Sequence, residues 1–168
     1  INGIGSGFFN KISQQIIVMA KAAAARGKAG WAGDRVDAIW NNVNVNDLAD
    51  LYILIVEGLV AGTADHGKKG GFYFGAVHEH TWFKISELLA TELLKLGLVK
   101  TTELSQFESE YLEKFLYGEA GKRNWTGDSR AVSNRSFKLG WKPYRPTAYE
   151  TLAQEVDYLY ANGELNLK

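Results

Sequence analysis

At 168 residues, the chain has room for one domain with a sizeable core and not for two. It is 46% hydrophobic and 23% charged, and nineteen basic residues balance nineteen acidic ones, so no overall field draws it to nucleic acid or to an anionic membrane. The absence of cysteine excludes disulfides and thiolate metal sites and favours a reducing compartment.

Helix signals dominate in chain order. The opening "INGIGSGFFNKIS" reads as a turn leading into a first helix, in which Ile12, Ile16, Met19, Ala20 and Ala23 follow helical spacing and Gly27 stops the run. In the Trp- and Asn-rich stretch that follows, Val43 and Val45 alternate with Asn44 as a very short strand would. Asn46 or Asp47 is then placed to cap a second helix with Leu48, Leu51, Tyr52, Ile55 and Leu59 on its apolar face. "GTADHGKKGG" is a glycine-rich loop, and "FYFGAV" reads as a buried strand. Thr81 starts a third helix that ends at Gly97, and Thr102 starts a fourth through "TTELSQFESEYLEKFLYG". A loop around "GKRNWTGD" precedes a short helical piece ending at Gly140. Thr147 and Glu150 form a capping box for a last helix that stops at Gly163.

The expected architecture is one domain over residues 1–168 with no linker, mostly α with about three short strands. The longest apolar stretch, "LADLYILIVEGLVAG", carries Asp50 and Glu57 and falls short of the roughly 18 uncharged residues of a membrane span. No basic region followed by an apolar run marks a secretory signal at the start, so a cytoplasmic location is expected. The first residue is Ile1 rather than methionine, as in a piece of something longer. Short isolated strands do not make a stable sheet by themselves, and the pattern reads as part of a sheet protein.

The glycines at 3, 5 and 7 give G-x-G-x-G, not the G-x-G-x-x-G of a dinucleotide fingerprint, because Phe8 stands where the third glycine belongs. They read as a turn, and no cofactor is assigned to this chain. His78 and His80, two apart, share a strand face, but no third ligand accompanies them and no metal is expected. No nucleophile elbow, Walker loop or H-E-x-x-H occurs, so no catalytic residue is named. Glu108 and Glu110 read as solvated helix carboxylates, and Asp34 and Asp37 as loop residues able to line a cavity. Most of the five tryptophans and sixteen other aromatics read as core; Trp31 and Trp40, in loop-like surroundings, are the exceptions.

Four stretches in order, "INGIGSGFFNKIS", "IWNNVNVNDLADLY", "GFYFGAVHEHTWFKISELLA" and "SNRSFKLGWKPYRP", resemble the C-terminal half of extended short-chain dehydrogenases/reductases of the epimerase/dehydratase type, with a fungal flavour. Val43, Val45, Asp47 and Ala49 are similar to that family's V-x-V-x-D-x-A element. Lys138, Leu139, Gly140, Trp141 and Pro143 are similar to its K-x-L-G-W-x-P. The resemblance implies a substrate-binding half whose Rossmann half, with its glycine loop and Tyr-x-x-x-Lys pair, lies outside these residues; no Y-x-x-x-K occurs here. NAD(P) is implied only together with such a half. Asn2 stands where the family usually has a tyrosine before the glycines, away from a nicotinamide role.

By motif position, Asn10, Trp31, Trp40, Asn42, His78, His80 and Trp82 are the expected lining of a cleft for an apolar, natural-product-like substrate. The partners expected are that small molecule and either an N-terminal half or a second copy of the chain. Two other functions fit the same residues. One is a cofactor-free binding protein, isomerase or cyclase that works by holding a reactive conformer. The other is a non-catalytic interaction protein offering an open sheet edge.

Overall fold

The computed structural model describes residues 1–67 and 70–166, without the side chains of residues 119, 120 and 123. Among them run seven helices and four short strands: α1 Gln14–Arg26, β1 Gly30–Trp31, β2 Ile39–Asn42, α2 Val45–Val60, β3 His78–Thr81, α3 Trp82–Lys95, β4 Ser105–Gln106, α4 Ser109–Phe115, α5 Gly118–Thr126, α6 Asn134–Lys138 and α7 Ala148–Ala161. The fold is mostly helical, with two separate two-stranded sheets.

The long helices end where single residues dictate. Gly27 takes the left-handed conformation and sends its N–H back to the last turn of α1. The Thr81 hydroxyl accepts from Lys84 N–H at the start of α3. Thr147 and Glu150 cap α7 reciprocally, with Thr147 N–H donating to the Glu150 carboxylate at 2.7 Å. Helices α1 and α7 both pack on α3. The shared core joins Met19, Ala20 and Ala23 of α1 to Ile85, Leu89 and Leu93 of α3 and to Leu152, Val156 and Leu159 of α7. The fully buried alanines of α1 let its backbone come close.

Strand β1 pairs in parallel with β4. The approach is tight at Gly30, where an added Cβ would stand 2.0 Å from the Ser105 carbonyl oxygen. Strand β2 pairs antiparallel with β3, and its other edge is covered by Ser129, whose N–H and carbonyl bond to Ile39 and Asn41 at 2.9 Å. Among the described residues no helix is long and apolar enough to cross a membrane.

Five local expectations are corrected. The strand expected at Val43 and Val45 lies earlier, at Ile39–Asn42; Asn44 is the actual cap of α2, accepting from Asn46 N–H at 3.0 Å. "FYFGAV" is no strand. The Ser136 hydroxyl donates to the Phe74 carbonyl at 2.7 Å, and the Ser133 hydroxyl accepts from Ala76 N–H and donates to Ala76 C=O, so hydroxyls stand where a neighbouring strand would. Phe72 and Phe74 consequently face out. The fourth helix starts at Ser109, because the residues before it are drawn into the ladder with β1, Phe107 N–H donating to Trp31 C=O at 2.8 Å. The loop expected at "GKRNWTGD" is mostly helix α5, set off from α4 by positive φ at both Tyr117 and Gly118. Gly121 is there for close passage: an added Cβ would lie 1.8 Å from Leu116 C=O.

Between α6 and α7 the chain runs as a strap over the start of α2. Asp47, 2% exposed, accepts from Arg145 N–H at 3.0 Å, from Tyr144 N–H at 3.3 Å and from the Arg145 guanidinium at 2.8 Å. Its own carbonyl accepts from the Trp141 indole at 2.8 Å. Replacing Asp47 with Ala strands two strap N–H groups and is expected to cost about 3 kcal/mol in urea denaturation. Replacing Arg145 with Leu leaves those N–H groups bonded, and a smaller loss is expected from the same measurement.

Candidate functional site

The residues bordering the N-terminal segment come from five parts of the chain. Asn2 lies beside Asn44 in a parallel bridge, with its N–H on Val43 C=O and its own C=O accepting from Val45 N–H, both at 2.9 Å. The Asn2 side chain donates to Pro146 C=O and to the Thr151 hydroxyl, both at 3.1 Å. Gly3 N–H donates to Glu155 Oε1 at 2.7 Å, and Thr151 Oγ1 donates to the same oxygen at 2.8 Å. The Asn42 amide faces Nδ1 of His80 at 3.2 Å and accepts from Ala148 N–H at 3.3 Å.

These groups enclose a cavity of about 220 Å³ bounded by Asn2, Trp40, Asn42, His80, Trp82 and Glu155, with Ser13, Gln15 and Ser129 among the polar residues on its wall. Through Gln15, Trp40 and Trp82 it adjoins a second space of about 120 Å³ walled by Trp125, Tyr117 and Asn124. Through Ile1, Ser13 and Gln15 it adjoins a third of about 400 Å³ under the opening glycines. Gln15, in the first turn of α1, borders all three. The wall is built by edge-to-face stacking: Trp82 meets Trp40 at 5.5 Å, His80 at 4.7 Å and Trp125 at 4.7 Å between ring centroids.

Of the residues chosen from sequence, Trp40, Asn42, His80 and Trp82 meet at the first cavity, and Asn10 borders the third. Trp31 and His78 border none of these spaces. Trp31 sits edge-on to Phe83 at 5.4 Å, and His78 faces Asn42 at the start of β3. The loop carboxylates lie elsewhere too: Asp37 pairs with Arg35 at 3.0 Å, and Asp34 accepts from Gln106 at 3.2 Å. Glu108 stands at the N-cap position of α4, makes no side-chain cap bond there, and pairs with Arg26 at 3.3 Å.

Sequence reasoning missed Asn2 as a wall residue, along with Gln15, Tyr117, Trp125, Ser129 and Glu155. Glu155 had a signal: it interrupts the buried stripe of α7 formed by Leu152, Val156 and Leu159. Tyr117 had none, because its φ of 64° is set by the turn between α4 and α5.

Two titratable side chains border the cavity, and burial acts on both. It lowers the His80 pKa to about 4, with a bond to the Trp40 backbone opposing the effect. It raises that of Glu155 above the ordinary carboxylate value, against the opposing bonds from Gly3 and Thr151. Both are pushed toward neutrality. Three buried polar atoms have no partner among the described protein groups: Asn2 Oδ1, Trp82 Nε1 and Glu155 Oε2. They belong to residues that border the first cavity, but the atoms themselves are packed against protein and expose almost no surface to it.

The opening glycines do not fit a pyrophosphate. Gly3 N–H is held by Glu155, Gly5 N–H by Lys11 C=O at 2.8 Å, and α1 begins only at Gln14, so two of the three glycine amides are engaged by the protein itself and no helix start stands directly behind them. Among the described residues no group of three or more His, Asp or Glu comes together to hold a metal ion. The chain matches no protein-family model, no curated protein and no solved structure.

The two buried groups give opposite pH slopes of stability. His80, neutral when folded, stabilises fully above its unfolded value of 6.5, and that contribution is lost as pH falls toward about 4. Glu155, raised when folded, does the reverse: its contribution is fully present below the ordinary carboxylate value and is lost as pH rises through the raised one. Urea midpoints across this range are expected to lose the first slope in His80→Phe and the second in Glu155→Gln.

Proposed function

We propose that this chain is the small-molecule substrate-binding portion of an NAD(P)-dependent epimerase, dehydratase or reductase of the extended short-chain type. The observation that carries the reading is the convergence of Trp40, Asn42, His80 and Trp82 on one cavity. They come from two separate stretches of the resemblance. The other resembling stretches also meet: Trp141 of "KLGWKP" donates to the Asp47 carbonyl of "VNVND". A cleft with aromatic walls and a few polar groups is the ordinary form of a site for a small organic molecule. The Gly3 and Gly5 amides are occupied within the protein, so this reading leaves the cofactor to a partner segment or chain.

The test is a titration of the chain, followed by tryptophan emission, with a panel of ketones comprising acetone, 2-octanone and acetophenone. Saturable quenching by at least one is expected, weakened about tenfold in Trp40→Leu, because that indole stands between the first two spaces. Absence of saturation with every ketone overturns the reading. NADPH is expected not to bind the chain alone, and stoichiometric binding would count against it.

A second reading, a cofactor-free isomerase, draws on Glu155, a buried residue bordering the cavity whose carboxyl pKa is raised. It requires turnover without nucleotide that disappears in Glu155→Gln.

A further inference from the structure

We infer that the outer face of α2 is the surface through which two copies of this chain pair, their α2 helices lying side by side and parallel. The inference is independent of what fills the cavity.

Helix α2 is anchored on one side and apolar on the other. Its inner side is fully engaged: Leu51 clusters with Val43 and Trp141, Asp47 holds the strap, and an added Cβ at Gly58 would stand 2.9 Å from that of Ala64. The helix cannot roll its outer residues inward without breaking these contacts. On the outer side Ala49, Ile53, Val56 and Val60 recur at the four-three-four spacing of a coiled-coil seam, and all four are exposed. Val60 is 86% exposed, and Ile53 and Val56 are more than half exposed. The solvent side of a surface helix is ordinarily polar, so a seam of this composition calls for a cover.

The two edges of the seam select a second copy as that cover. Asp50 and Glu57 run along one edge, and Tyr52 and Leu59 along the other, each pair seven residues apart. Helix α2 carries no basic residue; Asp50 is bonded to Arg145 at 2.5 Å, and the Glu57 carboxylate has no partner among the described residues. When two such helices pair about a two-fold axis parallel to them, the acidic edge of each lies against the Tyr52–Leu59 edge of the other. Tyr52 then meets Glu57 of the second copy, its phenol donating to the carboxylate, and the symmetry makes that bond twice. An antiparallel pair brings acidic edge to acidic edge, with Glu57 beside Asp50, and like charges oppose it.

Area sets the strength. Tyr52, Ile53, Val56, Leu59 and Val60 together expose on the order of 600 Å², short of the roughly 800 Å² per partner of a standard interface. The dimer is therefore a weak one, dissociating in the micromolar range.

Sedimentation equilibrium of the chain from about 1 to about 200 µM is expected to show the mass rising from 18.6 kDa toward twice that value. Val56→Glu is expected to weaken pairing at least about hundredfold, with circular dichroism and urea midpoint unchanged because the side chain is exposed. The chain has no cysteine, so one introduced thiol reports the geometry. Val60→Cys is expected to give a disulfide-linked dimer on air oxidation, and Asp157→Cys, on the exposed side of α7, is expected not to. In an antiparallel pair residue 60 stands opposite residue 49, about 16 Å along the axis from its own copy, and Val60→Cys alone does not cross-link. A monomer at every concentration overturns the inference, leaves the face to a different chain or segment, and leaves the substrate-binding reading standing. A dimer that survives Val56→Glu overturns it, as does cross-linking found only in the double variant Ala49→Cys, Val60→Cys.

Discussion

The buried carboxylate of Asp47 holds the strap between α6 and α7, and the rest of the architecture around the cavity follows from it. Its oxygens receive two backbone N–H groups and a guanidinium, and its carbonyl receives an indole. With the strap fixed, Pro146 presents its carbonyl to Asn2 and Asn44, Ala148 N–H reaches Asn42, and α7 begins in register. Only then does Glu155, two turns into that helix, meet Gly3. A single charged residue near the start of α2 thus organises a wall made of segments some hundred residues apart.

The polar ladder Asn2, Asn42, Asn44 and Asp47 explains why a short stretch is so rich in amides. Each is buried, and each bonds a backbone group of the strap or of its neighbours. Strands two to four residues long cannot hold a sheet through their own ladders. Side-chain amides and hydroxyls replace the missing strand neighbours here, at residues 42–47 and again where Ser133 and Ser136 bind the segment before β3. Polar side chains do for these edges what further strands do in a larger sheet.

This division accounts for what was legible in the sequence. Helix ends written in one residue type, such as Gly27, Thr81 and the Thr147–Glu150 pair, stand where they were read, because their chemistry is local. Elements stabilised by distant partners were misread. "FYFGAV" has strand composition but serines for partners, and Ser105–Gln106 has helix-like neighbours but a strand for a partner. The site divides similarly. Trp40, Asn42, His80 and Trp82 sit in recognisable motifs, whereas Trp125 and Tyr117 arrive through a helix-to-helix turn that hinges on backbone conformation and on the absence of a side chain at Gly121.

The opening segment carries a different consequence. Gly5 N–H bonded to Lys11 C=O pinches a loop shut at its base, and at its tip Phe8 and Phe9 are 100% and 91% exposed. The chain on either side is anchored independently, Asn2 and Gly3 to α7 and to the start of α2, and Ile12 in the helical core. The tip is therefore mechanically uncoupled from the body: a graft or a nick between Gly7 and Phe9 would leave both anchors standing. That makes it the place to attach a reporter that watches the neighbouring hollow without sitting in it.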